Sequence, residues 1–291
     1  MPVTIVIPTF NRFEYVRQAI DSSLAQSVVT KVIVVDHGST DRTPEIAAEY
    51  SDGIDYLRRP RDSGPIFSWL DGCLSAETEF VKILFDDDVL EPSFIEKTMD
   101  LFSPEVAFVF SRASAIDSIG TAQGFRLGGL VPHTGVYSSS SARRAIRSSL
   151  ISPSAAVFRR EDLIDGLFVG KLPVQNRTYF GAGPDHMVKF VSMMRRPAVG
   201  YVDEALVSFR SHPGSITVGA RENREVDALK SVYREIHAIG TIFAAVNRLQ
   251  LVELVLFFVR LSARAMRYQQ FLTILPRAVR RRWNLWRVSK E

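Results

Sequence analysis

Short β-branched runs and helix-spaced apolar positions alternate along the first part of the chain. Val3 to Ile7 and Val32 to Val35 read as strands. Between them, Arg12 to Gln26 carries Tyr15/Val16, Ala19/Ile20 and Ser23/Leu24 at helical spacing, so the three segments form a β-α-β unit. Thr40 to Tyr50 reads as a second helix, with Pro44 in its first turn and Ile46, Ala47 and Tyr50 on its inner face; Ile54 to Leu57 follows as a strand. Gly64 to Ala76 is helical in pattern and precedes the apolar run Phe80 to Phe85. Alternation of this kind predicts an α/β fold, a mostly parallel sheet flanked by helices with ligands at the carboxyl ends of its strands.

The pattern continues with a helix over Ser93 to Phe102 after Pro92, then a strand over Val106 to Phe110. Residues 111 to 150 are less regular: Gly124 to Gly135 and Ser138 to Ser141 are loop-like, and Ala142 to Leu150 has the character of a short basic helix. Ser154 to Arg159 reads as a strand, Pro184 to Arg195 as a helix and Ala198 to Phe209 as a strand ahead of a turn at His212-Pro213-Gly214. From Glu222 onward two or three helices are expected. The domain reading is a catalytic domain over 1 to 220, with halves at 1 to 110 and 111 to 220, and a helical basic region over 221 to 291.

At 291 residues and 46% hydrophobic content the chain has enough apolar residues for a substantial core. The lone Cys73 and a start without a basic, apolar leader point to a reducing, cytoplasmic setting, and no apolar stretch reaches the roughly 18 to 20 residues that span a bilayer. The net charge of +4 conceals an asymmetry. Residues 260 to 291 hold nine Lys/Arg and one acidic residue, a charge of +8, which leaves 27 basic and 31 acidic residues, or −4, over residues 1 to 259. A basic surface confined to one end argues against nucleic acid as a partner.

Asp86-Asp87-Asp88 closes the apolar run Phe80 to Phe85. Carboxylates bunched at a strand end repel one another unless a proton or cation shares the site. Oxygen ligands without neighbouring cysteine or histidine favour Mg²⁺ or Mn²⁺, and such an ion commonly holds substrate phosphates. A solvated loop tip or a helix cap is the plainer alternative for the triplet.

Three segments in order, Ile5-Val6-Ile7-Pro8-Thr9-Phe10-Asn11-Arg12, Val34-Val35-Asp36-His37-Gly38-Ser39-Thr40-Asp41 and Phe85-Asp86-Asp87-Asp88-Val89-Leu90-Glu91-Pro92, closely resemble the family 2 glycosyltransferases, inverting enzymes of the GT-A fold. The resemblance covers about residues 1 to 217. It implies a nucleotide-diphospho-sugar donor held by Pro8, Thr9, Phe10, Arg12, Asp36, His37, Gly64, Asp86 and Arg210. It implies a Mg²⁺ or Mn²⁺ ion on Asp87, Asp88 and His212, and Asp185 as the catalytic base. His37 stands where the family commonly has a second aspartate, associated with base recognition, and Phe85 where its acidic motif often begins. Pro184 replaces the glutamate of the family's Glu-Asp pair. Arg210 and His212 belong to Phe209-Arg210-Ser211-His212-Pro213-Gly214-Ser215-Ile216-Thr217, similar to a later family segment that approaches the diphosphate or metal. Beside these roles stand structural ones: Ser39 and Asp41 as helix caps, Arg58 to Arg61 as exposed charge, Asp185 as a complement to a helix dipole, and His212 as a turn residue.

In the tail, Arg260, Arg264 and Arg267 share one helical stripe, and Arg277, Arg280, Arg281, Arg282 and Arg287 are interleaved with Trp283 and Trp286. That mixture suits a helix at an anionic membrane interface; packing on the catalytic domain or on a second copy is the alternative. The functional expectation is a metal-dependent inverting glycosyltransferase. It takes a UDP-sugar, or a dTDP- or GDP-sugar, and a saccharide or lipid-linked acceptor in bacterial surface-polysaccharide or glycolipid synthesis, at the inner face of the cell membrane. A nucleotidyltransferase and a non-catalytic sugar-nucleotide-binding protein are the other two readings.

Overall fold

A computed structural model describes residues 2–127, 133–139, 141, 152–167, 184–212 and 215. The chain divides into two compact units, and every described residue falls in the first, Met1–Val169 with Phe180–His237. The expected basic helix at 142 to 150, the helices from 222 onward and the arginine- and tryptophan-rich tail lie outside the described residues. Among the described residues no helix is long and apolar enough to cross a membrane.

β1 (Val3–Thr9) is buried along its whole length, as a strand covered on both faces requires. Val3, Ile5 and Ile7 pack with Phe13, Val16, Ala19 and Ile20 of α1 (Phe13–Leu24), while Val6 faces Trp69 and Cys73 of α3 (Pro65–Ser75) on the other side. β2 (Thr30–His37), β3 (Asp55–Arg59) and β4 (Phe80–Ile83) join β1 in a parallel block of order β3-β2-β1-β4. Between β2 and β3 lies a 3-10 turn (Thr43–Glu45) that continues into the short helix α2 (Ile46–Glu49). Gly72 lets α3 approach this block closely: a Cβ there would meet Val6 Cγ1 at 2.2 Å.

The second half makes the sheet mixed. β9 (Ala156–Arg159) runs antiparallel between β4 and β6 (Val106–Ile116), and β10 (Ala198–Arg210) is parallel to β6. β5 (Val89–Leu90), β7 (Ala122–Leu127) and β8 (Gly135–Ser138) are antiparallel additions on β10, β6 and β10. Part of the stretch that reads as irregular is therefore a hairpin. β6 runs on to Ile116 and returns through β7, where Gly124 holds φ +63°. α4 (Phe94–Met99) shares the layer of α1; α5 (Arg160–Gly166) and α6 (Pro184–Arg195) share that of α3, giving three layers. Asp162 of α5, fully buried, accepts from Arg195 at 2.8 Å and Arg196 at 2.9 Å and so ties α5 to α6.

Candidate active site

The strand order switches sides between β2 and β4 around β1, and in open α/β sheets the crevice beyond the carboxyl ends at such a switch is where ligands bind. Register brings Thr9 level with Asp36, and Asp36 level with Arg58. The two-residue β5 sets the other side of the crevice. It pairs Leu90 with Val207 and Val89 with Ser208, and the same antiparallel register extended by two residues sets Arg210 opposite Asp87. A strand from the far end of the chain is thereby sewn to the acidic turn.

That turn is held from several sides. Phe85 N–H donates to Ser154 Oγ at 2.9 Å and Asp88 N–H to Phe85 O at 3.1 Å, while the Phe85 ring packs against Trp69 at 5.3 Å. Burial and the adjoining Asp87 charge push the Asp86 carboxyl up to about 7, against the pull of Arg12, the Thr9 hydroxyl and the Phe10 amide. Asp88 is buried, and burial first, then the Asp87 charge, carries its carboxyl well above the usual range. Its Oδ1 accepts the Arg210 N–H at 3.2 Å, and its other polar neighbours are Ser154 and Lys82. Asp88, expected among the metal ligands, thus serves the turn.

Asp87 keeps a partly exposed carboxylate whose Oδ2 lies 3.0 Å from His212 Nε2 and 3.9 Å from Arg12 Nη1. His212 is buried with its ring 4.8 Å from that of Tyr15, and its Nε2 is also 2.7 Å from Arg12 Nη1. His212 Nδ1 lies 3.4 Å from the same Arg12 nitrogen, so with its hydrogen on Nε2 the ring donates to Asp87 and has Nδ1 to accept from Arg12. With the lone pair on Nε2 instead, that nitrogen and the Asp87 carboxylate offer a divalent cation two adjacent ligands. Among the described residues no three His, Cys, Asp or Glu side chains converge on one point. Two protein ligands still suit Mg²⁺ or Mn²⁺, which fill their remaining positions with phosphate oxygens and water.

Arg210, expected on the donor phosphates, is employed otherwise. It is buried, its Nε donates to Asp87 O at 2.9 Å, Nη1 to Asp117 O at 3.2 Å and Ser118 O at 3.3 Å, and Nη2 to Gln18 Oε1 at 2.8 Å. With its guanidinium over the Tyr15 ring at 5.1 Å, it braces β10, the acidic turn, the β6–β7 hairpin and α1 against one another.

At the end of β2, Asp36 is fully buried. Oδ1 accepts the Ser39 N–H at 2.8 Å and Oδ2 the Tyr56 hydroxyl at 2.7 Å; burial first, then this bond to Asp36, pushes the Tyr56 phenol well up. Oδ2 also lies 3.4 Å from Arg58 Nε, so the carboxylate is tied to Ser39, Tyr56 and Arg58 at once. His37 is buried with Nε2 3.2 Å from Asp71 Oδ2, and Asp71 also accepts Arg59 Nε at 2.7 Å and Nη2 at 2.8 Å. A carboxylate only accepts, so Nε2 donates and His37 Nδ1 is left a bare acceptor, buried without a partner.

Pro8 and Thr9 are buried at the end of β1, and Phe10 beyond them is 42% exposed. Gly64 precedes α3 at φ +95°, its N–H bonded to Asp62 Oδ1 at 2.7 Å. Asp185 occupies the first turn of α6 behind Pro184; its side chain lies outside the described residues. Ser39 and Asp41 are structural: Ser39 Oγ accepts the Asn11 N–H at 2.9 Å, and Asp41 caps both the Thr43 turn and the first turn of α1. Sequence reading missed Tyr15, Gln18, Asp71, Ser154 and Lys82 as site residues. Tyr15 and Gln18 fall at i and i+3 on α1, the one signal that both face the same neighbour.

A three-layer α/β domain with carboxylates at its switch point is the GT-A class of fold. The chain belongs to glycosyl transferase family 2, whose family model matches residues 4–167. An uncharacterised glycosyltransferase of Rickettsia prowazekii is 38% identical over 103 residues, 35% of this chain and 32% of that protein. A succinoglycan biosynthesis protein of Rhizobium meliloti is 31% identical over 100 residues, 34% of this chain and 29% of that protein. The chain thus matches about a third of the length of these curated relatives. Among solved structures, residues 1–349 of S. aureus TarS in complex with UDP-GlcNAc superpose with a TM-score of 0.65 at 18% identity, over 83% of this chain and 67% of TarS 1–349. A mannosyltransferase from Pyrobaculum calidifontis in complex with GDP-Man and Mn²⁺ gives 0.51 at 16% identity, over 90% and 75%. These two likenesses concern the fold.

Proposed function

We propose that this chain is a metal-dependent, inverting glycosyltransferase that moves a sugar from a nucleotide-diphospho-sugar to a hydroxyl acceptor. The observation that carries the reading is the clamped acidic turn with the Asp87 carboxylate turned to His212 and Arg12 at the carboxyl ends of the sheet. Asp87 and His212 are the proposed ligands of Mg²⁺ or Mn²⁺, which neutralises charge growing on the leaving diphosphate. Arg12 pairs with a phosphate oxygen once it leaves His212. Asp36, His37, Phe10 and the backbone at Pro8, Thr9 and Gly64 line the nucleoside side, with Asp86 beside the ribose. Asp185, in the first turn of α6, takes the proton from the acceptor hydroxyl as that oxygen attacks the anomeric carbon opposite the diphosphate, which inverts the centre.

The nucleotide-sugar complexes of TarS and of the Pyrobaculum enzyme support a donor of this class, and the succinoglycan relative supports a setting in polysaccharide assembly. A saccharide or lipid-linked acceptor and peripheral contact of residues 260 to 291 with an anionic membrane belong to the same reading. The test is nucleoside diphosphate release from UDP-, dTDP- and GDP-sugars with Mn²⁺ and with EDTA, followed by NMR of the product anomer. Metal-dependent release with an inverted anomer supports the reading; a retained anomer or release of pyrophosphate contradicts it. Tight donor binding without turnover favours the non-catalytic alternative.

A further inference from the structure

Lys82 is a charged residue type in the middle of an otherwise apolar strand, and it is fully buried. A buried amine is costly unless its hydrogens find acceptors. Lys82 Nζ donates to Pro153 O at 3.2 Å and to Ser154 O, and lies 4.3 Å from the centroid of the Phe94 ring. All the partners are interior groups, and none is a substrate-facing atom.

From Ser154 the contacts run upward to the acidic turn. The Ser154 backbone is held by Lys82, and its hydroxyl accepts the Phe85 N–H at 2.9 Å, while Phe85 O accepts the Asp88 N–H at 3.1 Å. Asp88 in turn accepts the Arg210 amide, and Arg210 donates to the Asp87 carbonyl at 2.9 Å. Residues 85, 87 and 88 are therefore each fixed through a contact that traces back to the Lys82–Ser154 pair or to Arg210. Of these three residues, only Asp87 turns a carboxylate to His212 and Arg12.

We propose that Lys82 and Ser154 are positioning residues that set the Asp87 carboxylate for cation and donor binding without touching either. The proposal rests on the reading of Asp87 as the donor-site carboxylate. Outer partners that orient a metal ligand typically change metal affinity by about 10- to 100-fold when removed.

The experiment compares wild type, Lys82→Met, Ser154→Ala and Asp87→Asn by Mn²⁺ titration followed by electron paramagnetic resonance, and by calorimetric titration of UDP and of GDP with Mn²⁺ present. Lys82→Met keeps most of the side-chain volume but leaves the buried Pro153 and Ser154 carbonyls without their donor, so its melting temperature falls and its Mn²⁺ affinity falls with it, by roughly 10-fold or more. Ser154→Ala decides the matter should the methionine variant fail to fold, and the same loss is expected of it. A folded Lys82→Met or Ser154→Ala with wild-type Mn²⁺ affinity, or a lowered melting temperature with unchanged affinity, overturns the proposal. If Asp87→Asn weakens Mn²⁺ binding while those two do not, the inference falls and the donor-site reading stands. If Asp87→Asn leaves Mn²⁺ binding unchanged, the reading falls and takes the inference with it.

Discussion

Replacing Arg210 by lysine separates a structural brace from a phosphate ligand. The guanidinium reaches in three directions at once, to the Asp87 carbonyl, to the Asp117 and Ser118 carbonyls and to Gln18. A lysine ammonium reaches only one of these places. A hydrogen bond from a charged donor is worth about 1.5–3 kcal/mol, but Gln18 and Ser118 are exposed and accept water instead. The net loss is then about 2–3 kcal/mol, which for a protein of this size lowers the melting temperature by roughly 5–10 °C. Circular dichroism at 222 nm during a thermal ramp reads the shift directly. A melting temperature within about 2 °C of wild type, together with a collapse of nucleotide affinity, refutes the brace and returns Arg210 to the phosphates.

Two further predictions concern the parallel block and its rim. Gly72→Ala pushes a Cβ to 2.2 Å from Val6 Cγ1 and 3.1 Å from Val35 Cγ2, both on fully buried side chains, so overpacking of about 1–3 kcal/mol outweighs the roughly 1 kcal/mol that alanine gains in a helix. A lowered melting temperature is expected and a raised one contradicts the packing. The Arg59 hydrogen bonds hold the Asp71 carboxyl below its ordinary value of 3.8, so their stabilisation is present above that value and is lost as pH falls through the lower, folded one. The small melting-temperature gap between wild type and Arg59→Met should be full at neutral pH and close below about pH 4; a constant gap rules the linkage out.

Much of the parallel block was legible because β1, β2 and β4 are buried on both faces and read as continuous apolar runs. The direction of β9 was not: a run as short as Ala156 to Arg159 looks the same going up or down a sheet. β5 has two residues, too few for any period, yet it decides which carboxylate meets His212. Asp87 and Asp88 are neighbours of one type, and only the turn geometry separates the exposed carboxylate from the buried one. Arg210 was read by its charge alone, whereas its carbonyl partners lie on segments that come together only in the fold. Lys82 inside an apolar run reads as an ordinary interruption of a strand, since its acceptors are Pro153 and Ser154, about seventy residues away in the chain.

The most direct test of the donor site is a thermal-shift series with UDP, GDP, dTDP and CDP, each with and without Mn²⁺, on wild type and Asp87→Ala. A ligand present at about a hundred times its dissociation constant adds about 2.7 kcal/mol to the folded state, a shift that is easily resolved. At least one nucleoside diphosphate is expected to stabilise the wild type, only with Mn²⁺ present, and to lose that effect in Asp87→Ala. Stabilisation that is independent of the metal and equal in the two proteins, or none with any of the four nucleotides, contradicts a metal-assisted donor site at Asp87.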